Sequence, residues 1–130
     1  MSPYKAGDWR SIKLFGNHFA VLLYVDPHYV VVIYATSTYR SQYPCIEVLP
    51  GTADGRRLGL QLPTYFYPQN CVALSLAKID QHKLQSCPLQ LYMRLRELCQ
   101  GQLAKLENLR GADLDQVLLT GATNQNRSAR

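Results

Sequence analysis

Residues 17–50 read NHFAVLLYVDPHYVVVIYATSTYRSQYPCIEVLP. From His18 to Val25 the run is apolar and nearly continuous, as in a strand buried on both faces. Asp26-Pro27-His28 is a turn signal, because Pro presets φ and Asp accepts a hydrogen bond from the backbone ahead of it. Tyr29 to Ala35 is the densest β-forming run, with four β-branched residues and two tyrosines. The two runs predict a hairpin. Its second strand ends in Thr36, Ser37, Thr38, Tyr39 and Arg40, and so many hydrogen-bonding groups at the mouth of an apolar strand predict a polar site. Tyr43 to Leu49 alternates as a half-buried strand would, with Glu47 toward solvent.

Working outward, Asp8 to Leu14 reads as a short exposed strand. Residues 50–55 (PGTADG) read as a loop, followed by Arg56-Arg57. Leu58 to Leu62 and Thr64 to Tyr67 read as one strand interrupted at Pro63, which cannot donate to a ladder. Cys71 to Ala77 is the last strand candidate. Six short strands with tight links predict a mainly β chain, either a small barrel or a strongly bent sheet. The period then changes. After Ser86, a candidate N-cap with Pro88 in the first turn, apolar residues at Leu91, Tyr92, Leu95, Leu98, Cys99, Leu103, Leu106 and Leu109 form the stripe of an amphipathic helix over about 88–109. Gly101 interrupts it at a cost of roughly 1 kcal/mol relative to Ala. The stripe fits packing on the barrel better than holding a partner. Residues 1–110 thus form one β-barrel domain with a C-terminal helix. Residues 111–130 form a short helix, Ala112 to Leu119, and a polar tail from Gly121 expected to be disordered.

At 130 residues the chain is long enough to bury its own core. No run reaches the ~20 apolar residues a membrane-spanning helix needs, and the N-terminus has no apolar signal core. A cytoplasmic protein without membrane partners is expected. Cys45, Cys71, Cys87 and Cys99 are scattered, as are His18, His28 and His82. That spacing suits reduced structural thiols better than a zinc site or a disulfide framework, and neither metal nor cofactor is expected. Fourteen Lys and Arg against nine Asp and Glu give a net charge of +5, which favours a polyanionic partner. The segment Gly55-Arg56-Arg57-Leu58-Gly59 fails as a nucleotide loop, since no helix follows it in this reading.

The order of features from Gly16 to Pro50 resembles the MazF/PemK family of toxin endoribonucleases. Asn17-His18-Phe19 precedes the apolar Ala20-Val21-Leu22-Leu23. Val30 to Tyr34 leads into Thr36-Ser37. Tyr43-Pro44-Cys45-Ile46-Glu47-Val48 matches the family's Y-P-x-E-V. Gly59-Leu60, Cys71 to Ile79 and a C-terminal helix follow in order, so the resemblance spans residues 7 to 109. It implies a small SH3-like barrel, a homodimer, a single-stranded RNA substrate and a cognate antitoxin protein that occupies the RNA groove. The chain departs from the pattern at two places. His18 and Phe19 stand where the family has Arg-Pro, and Cys71 to Ala77 lacks the charged pair that some members carry on a late strand.

RNA cleavage without a metal requires a base for the ribose 2′-OH, stabilisation of the phosphorane and a proton for the 5′-oxygen. It leaves 2′,3′-cyclic phosphate and 5′-hydroxyl ends. Histidine suits the proton transfers, so His18 is the catalytic candidate, with Thr36 and Ser37 donating to phosphoryl oxygens. Arg10, Lys13, Arg40, Arg56 and Arg57 are candidates for phosphate contact. Tyr39 and Tyr65, with Tyr43 and Tyr67, are candidates for base stacking. The alternative is a non-catalytic SH3-like barrel that binds nucleic acid or a protein, as a phage or plasmid inhibitor or regulator would. In that case His18 is structural and the Thr36-Ser37-Thr38 hydroxyls serve a local turn.

Overall fold

The computed structural model describes residues 2–117. Six strands, β1 (Asp8–Lys13), β2 (Asn17–Val25), β3 (Tyr29–Thr36), β4 (Ile46–Val48), β5 (Thr64–Ser75) and β6 (Gln85–Ser86), form one antiparallel sheet in the order β4-β5-β3-β2-β1-β6. The expected hairpin is β2–β3. At its turn the buried Asp26 carboxylate accepts from the His28 backbone N–H at 3.0 Å, and the Asp26 N–H donates to Tyr29 O at 2.9 Å.

The sheet curls into a barrel-like, mainly β fold. An antiparallel bridge between Ile12 and Ile79 draws the segment after β5 back onto β1. Side chains alternate along the strands, so Ala20, Leu22, Val30, Val32, Val72 and Leu74 pack on one face, around Ile12 and Ile79. Val21, Leu23, Val31, Ile33 and Ala73 pack on the other, together with Trp9 and Phe66. Helices α2 (Leu89–Leu98) and α3 (Gln100–Leu106) cover this second face with Leu91, Leu95, Cys99 and Leu103, all buried. Each fully buried Leu contributes about 1.5–3 kcal/mol.

Several sequence-based boundaries shift. Thr64 to Tyr67 and the strand expected from Cys71 to Ala77 run together as a single strand, β5, which ends at Ser75 before the 3-10 turn Leu76–Lys78. Its pairing with β3 jumps from Ala35↔Phe66 to Ile33↔Cys71, so residues 67–70 bulge opposite one residue. Pro68 sits in that bulge, where its missing N–H disturbs no ladder. Leu58 to Leu62 is not a strand. Residues 52–58 hold a helix, α1 (Ala53–Leu58), where a loop was expected. Thr52 caps it by accepting from the Gly55 N–H at 3.1 Å, and Gly59 ends it at φ 72°. Gly55 is buried so closely that a Cβ there would lie 1.9 Å from Leu49 O. Ser86 pairs with Asp8 in the sheet and caps nothing; Pro88 is the N-cap of α2. The long helix breaks at Cys99 (φ −97°, ψ 10°) and ends at Leu106, before an extended Glu107 and a left-handed Asn108. Residues 111–117 are helical. The end of the expected Ala112–Leu119 helix and the tail lie outside the described residues. No helix among the described residues is long and apolar enough to cross a membrane.

Candidate functional site

At one end of the sheet a groove of about 770 Å³ opens between the start of β2, the end of β3 and the segment from α1 to residue 62. The floor is apolar. Trp9, 2 % exposed, stacks on Phe19 at 5.6 Å between ring centroids and 29° between planes. Phe19 is itself 52 % exposed, so its outer face is open to a ligand. Trp9 Nε1 donates to Leu58 O at 3.1 Å, which ties the floor to the helix that forms the opposite wall.

That wall carries Arg56 and Arg57 in the last turn of α1. An Arg56 guanidinium N–H donates to Gly51 O at 2.6 Å, which ties the side chain back to the loop before α1. The facing wall carries His18, Thr36 and Ser37. Five residues singled out from the sequence therefore line one groove. Among the described residues no Asp or Glu lines it, so its described charged side chains are cationic.

The orientations are informative. Phe19 lies over Trp9, whereas the His18 ring, one residue earlier on β2, meets Tyr34 at 5.2 Å. Tyr34 packs against the cluster on the other face of the sheet, so the imidazole stands at the groove rim, turned toward that face. Thr36 Oγ1 accepts from the Thr38 backbone N–H at 3.1 Å, a local turn bond. Its hydroxyl proton can still be donated.

Other expected residues lie elsewhere. Arg10 requires correction: it is 2 % exposed and cannot contact an RNA phosphate. Its guanidinium donates to Asp8 Oδ2 through Nε (3.0 Å) and Nη2 (2.8 Å), and to the carbonyls of Pro3, Asp80 and Gln81. Asp8 and Arg10 share one face of β1, so each removes the other's charge from solvent. Lys13 is exposed but lines a neighbouring depression. Tyr39, Arg40, Tyr43, Tyr65 and Tyr67 gather beyond the groove lining. Tyr39 meets Tyr65 at 5.3 Å and Tyr43 meets Tyr67 edge-on at 6.5 Å. The Arg40 backbone N–H donates to the Tyr67 hydroxyl at 2.5 Å. Partial desolvation raises the Tyr65 hydroxyl pKa above the ordinary phenol value, and the neighbouring Glu47 carboxylate adds to this. These tyrosines tie down the segment after β3.

The groove floor, Trp9 with Phe19, and the leucines Leu58, Leu60 and Leu62 of the wall carry no local sequence signal for a site. Trp9 falls in the stretch expected to be an exposed strand, yet it is buried, and Phe19 stands out in the sequence only as a departure from the family pattern. Among the described residues, no group of three His, Cys, Asp or Glu side chains is placed to hold a metal ion. No protein-family model matches the chain, and no curated protein matches it.

Proposed function

We propose that this protein acts on single-stranded RNA through the groove, as a metal-independent endoribonuclease of the MazF/PemK toxin type. The supporting observation is that His18, Thr36, Ser37, Arg56 and Arg57 line one cavity with an aromatic floor. In this reading Arg56 and Arg57 neutralise backbone phosphates, and the exposed face of Phe19 stacks on an unpaired base. His18 takes the 2′-OH proton, after turning its ring from Tyr34 toward the bound strand. The 2′-oxygen attacks phosphorus and the 5′-oxygen leaves with a proton from water or from the imidazolium. Thr36 and Ser37 donate to the non-bridging oxygens. A homodimer, a cytoplasmic location and an antitoxin protein that competes for the groove accompany this reading.

A second reading is favoured by the contact of the His18 ring with Tyr34 and by the Thr36 turn bond. Both are what a structural histidine and a structural threonine would make. In this reading the barrel binds single-stranded RNA or a protein without cleaving anything.

One experiment decides. Purified protein and its His18→Ala variant are incubated with mixed-sequence single-stranded RNA in EDTA, and the fragment ends are read chemically. Discrete cuts with cyclic-phosphate ends, absent from the variant, support the nuclease. RNA that is bound but intact supports the binding module. RNA neither bound nor cut overturns the RNA reading altogether.

A further inference from the structure

Beside the groove lies a second depression of about 330 Å³, well above the ~30 Å³ share of one water, lined by Ser11, Lys13, Asn17, Lys78, Ile79 and Asp80 among others. Asn17 lines both cavities. Asn17 opens β2 and pairs directly with Lys13 at the end of β1. The Ile12–Ile79 bridge brings Lys78, at the end of the 3-10 turn Leu76–Lys78, alongside the same strand. Two exposed ammonium groups thus flank a depression that begins where the groove ends.

Among the described residues neither Lys13 nor Lys78 forms an ion pair. Among the described residues, the one carboxylate lining the depression is Asp80. Its Oδ1 accepts from the His82 backbone N–H at 2.9 Å, and its backbone carbonyl accepts from Arg10 at 3.0 Å. Among the described residues the depression therefore holds two cations without an ion pair against one anion.

We propose that the depression is a second backbone subsite, in which Lys13 and Lys78 hold a phosphate of a single-stranded RNA leaving the groove across Asn17. This rests on the RNA reading given above and extends it: the protein grips its strand on both sides of Asn17, and oligonucleotides too short to cross Asn17 bind less tightly.

The test uses full-length protein and uniformly 2′-O-methylated RNA, which transesterification cannot cut. Binding of a short and a long oligonucleotide is followed by fluorescence anisotropy over a range of salt. Lys13→Ala and Lys78→Ala, both at exposed positions, should each reduce the slope of log K against log salt for the long strand, and the two changes together by ~0.7, the share of the one phosphate they hold. Binding of the short strand should not change. Lys78→Arg should keep the slope. If the lysine variants leave the long-strand slope unchanged while Arg56→Ala lowers it, the subsite is overturned and the groove reading stands. If the unaltered protein binds neither strand, both fail together.

Discussion

Trp9 Nε1 and Leu58 O, 49 residues apart in the chain, form a 3.1 Å hydrogen bond beneath the groove. The bond joins β1 to the last residue of α1, so it ties the aromatic floor to the arginine-bearing wall. Trp9→Phe leaves the Leu58 carbonyl without this donor. Orphaning a buried acceptor costs about 1–3 kcal/mol, so a drop of that size in urea-unfolding free energy is expected, with weaker ligand binding even where the fold persists. Unchanged stability would show that the bond holds nothing together.

The buried pair Asp8–Arg10 gives a sharper test. Arg10→Met leaves the Asp8 carboxylate, 3 % exposed, with the Lys5 backbone N–H at 3.0 Å and Lys83 Nζ at 3.8 Å. Breaking a buried pair in this way costs about 3–5 kcal/mol. Removing both charges, as Asp8→Leu with Arg10→Met, should cost less than the sum of the two single changes. Equilibrium unfolding of all four proteins measures the coupling, and strict additivity would contradict the described pairing.

The thiols predict an alkaline limit to stability. Burial pushes Cys87 up to about 12, with the Asp54 charge adding to the effect. Cys71 is raised by its hydrogen bond with Cys99 and then by burial. An unfolded thiol ionises near ~8.5, so above that pH the unfolded chain releases protons that the folded chain keeps. Stability is therefore full below about pH 8.5 and falls as the pH rises toward 12, by up to ~1.4 kcal/mol per pH unit for each such group. Tyr29 adds to the loss above about pH 10, because desolvation raises its hydroxyl pKa. In the native protein Cys45, which is half-buried, should react with a thiol reagent, and the three buried cysteines should react only on unfolding.

The N-cap of α1 links stability to binding. Thr52→Ala removes the hydroxyl that accepts from Gly55 N–H, at a cost of about 1 kcal/mol. Arg56→Ala with Arg57→Ala leaves the cap intact but removes the positive wall. The double arginine variant should reduce the salt slope of RNA binding by about 1.4, or ~0.7 per phosphate contact. Thr52→Ala should lower affinity with little change in slope. Salt titrations of both proteins separate loss of wall position from loss of wall charge.

Local chemistry was legible in the sequence, and chemistry assembled from distant residues was not. The β2–β3 hairpin announced itself because its strands and its Asp26-Pro27-His28 turn are contiguous, and the Thr36-Ser37 end followed from that. Helix α1 did not, because Asp54-Gly55 reads as a turn and the cap at Thr52 is visible only once the helix is known. Arg10 was misplaced because three of its acceptors are backbone carbonyls of Pro3, Asp80 and Gln81, which no pattern around residue 10 predicts. The groove floor depends on Trp9 meeting Leu58, a contact without a local signature.

Gly55 lies among the residues that a genetic selection for lost activity would find. Any side chain there collides with Leu49 O, and the collision displaces the helix that carries Arg56 and Arg57. Substitutions at position 55 should therefore be among the least tolerated near the groove, and second-site suppressors should map to residues 49–50, whose backbone crowds it. A sensitivity map of this protein would rank a residue with no functional group beside those that meet the ligand. Only the location of the suppressors would tell the two kinds apart.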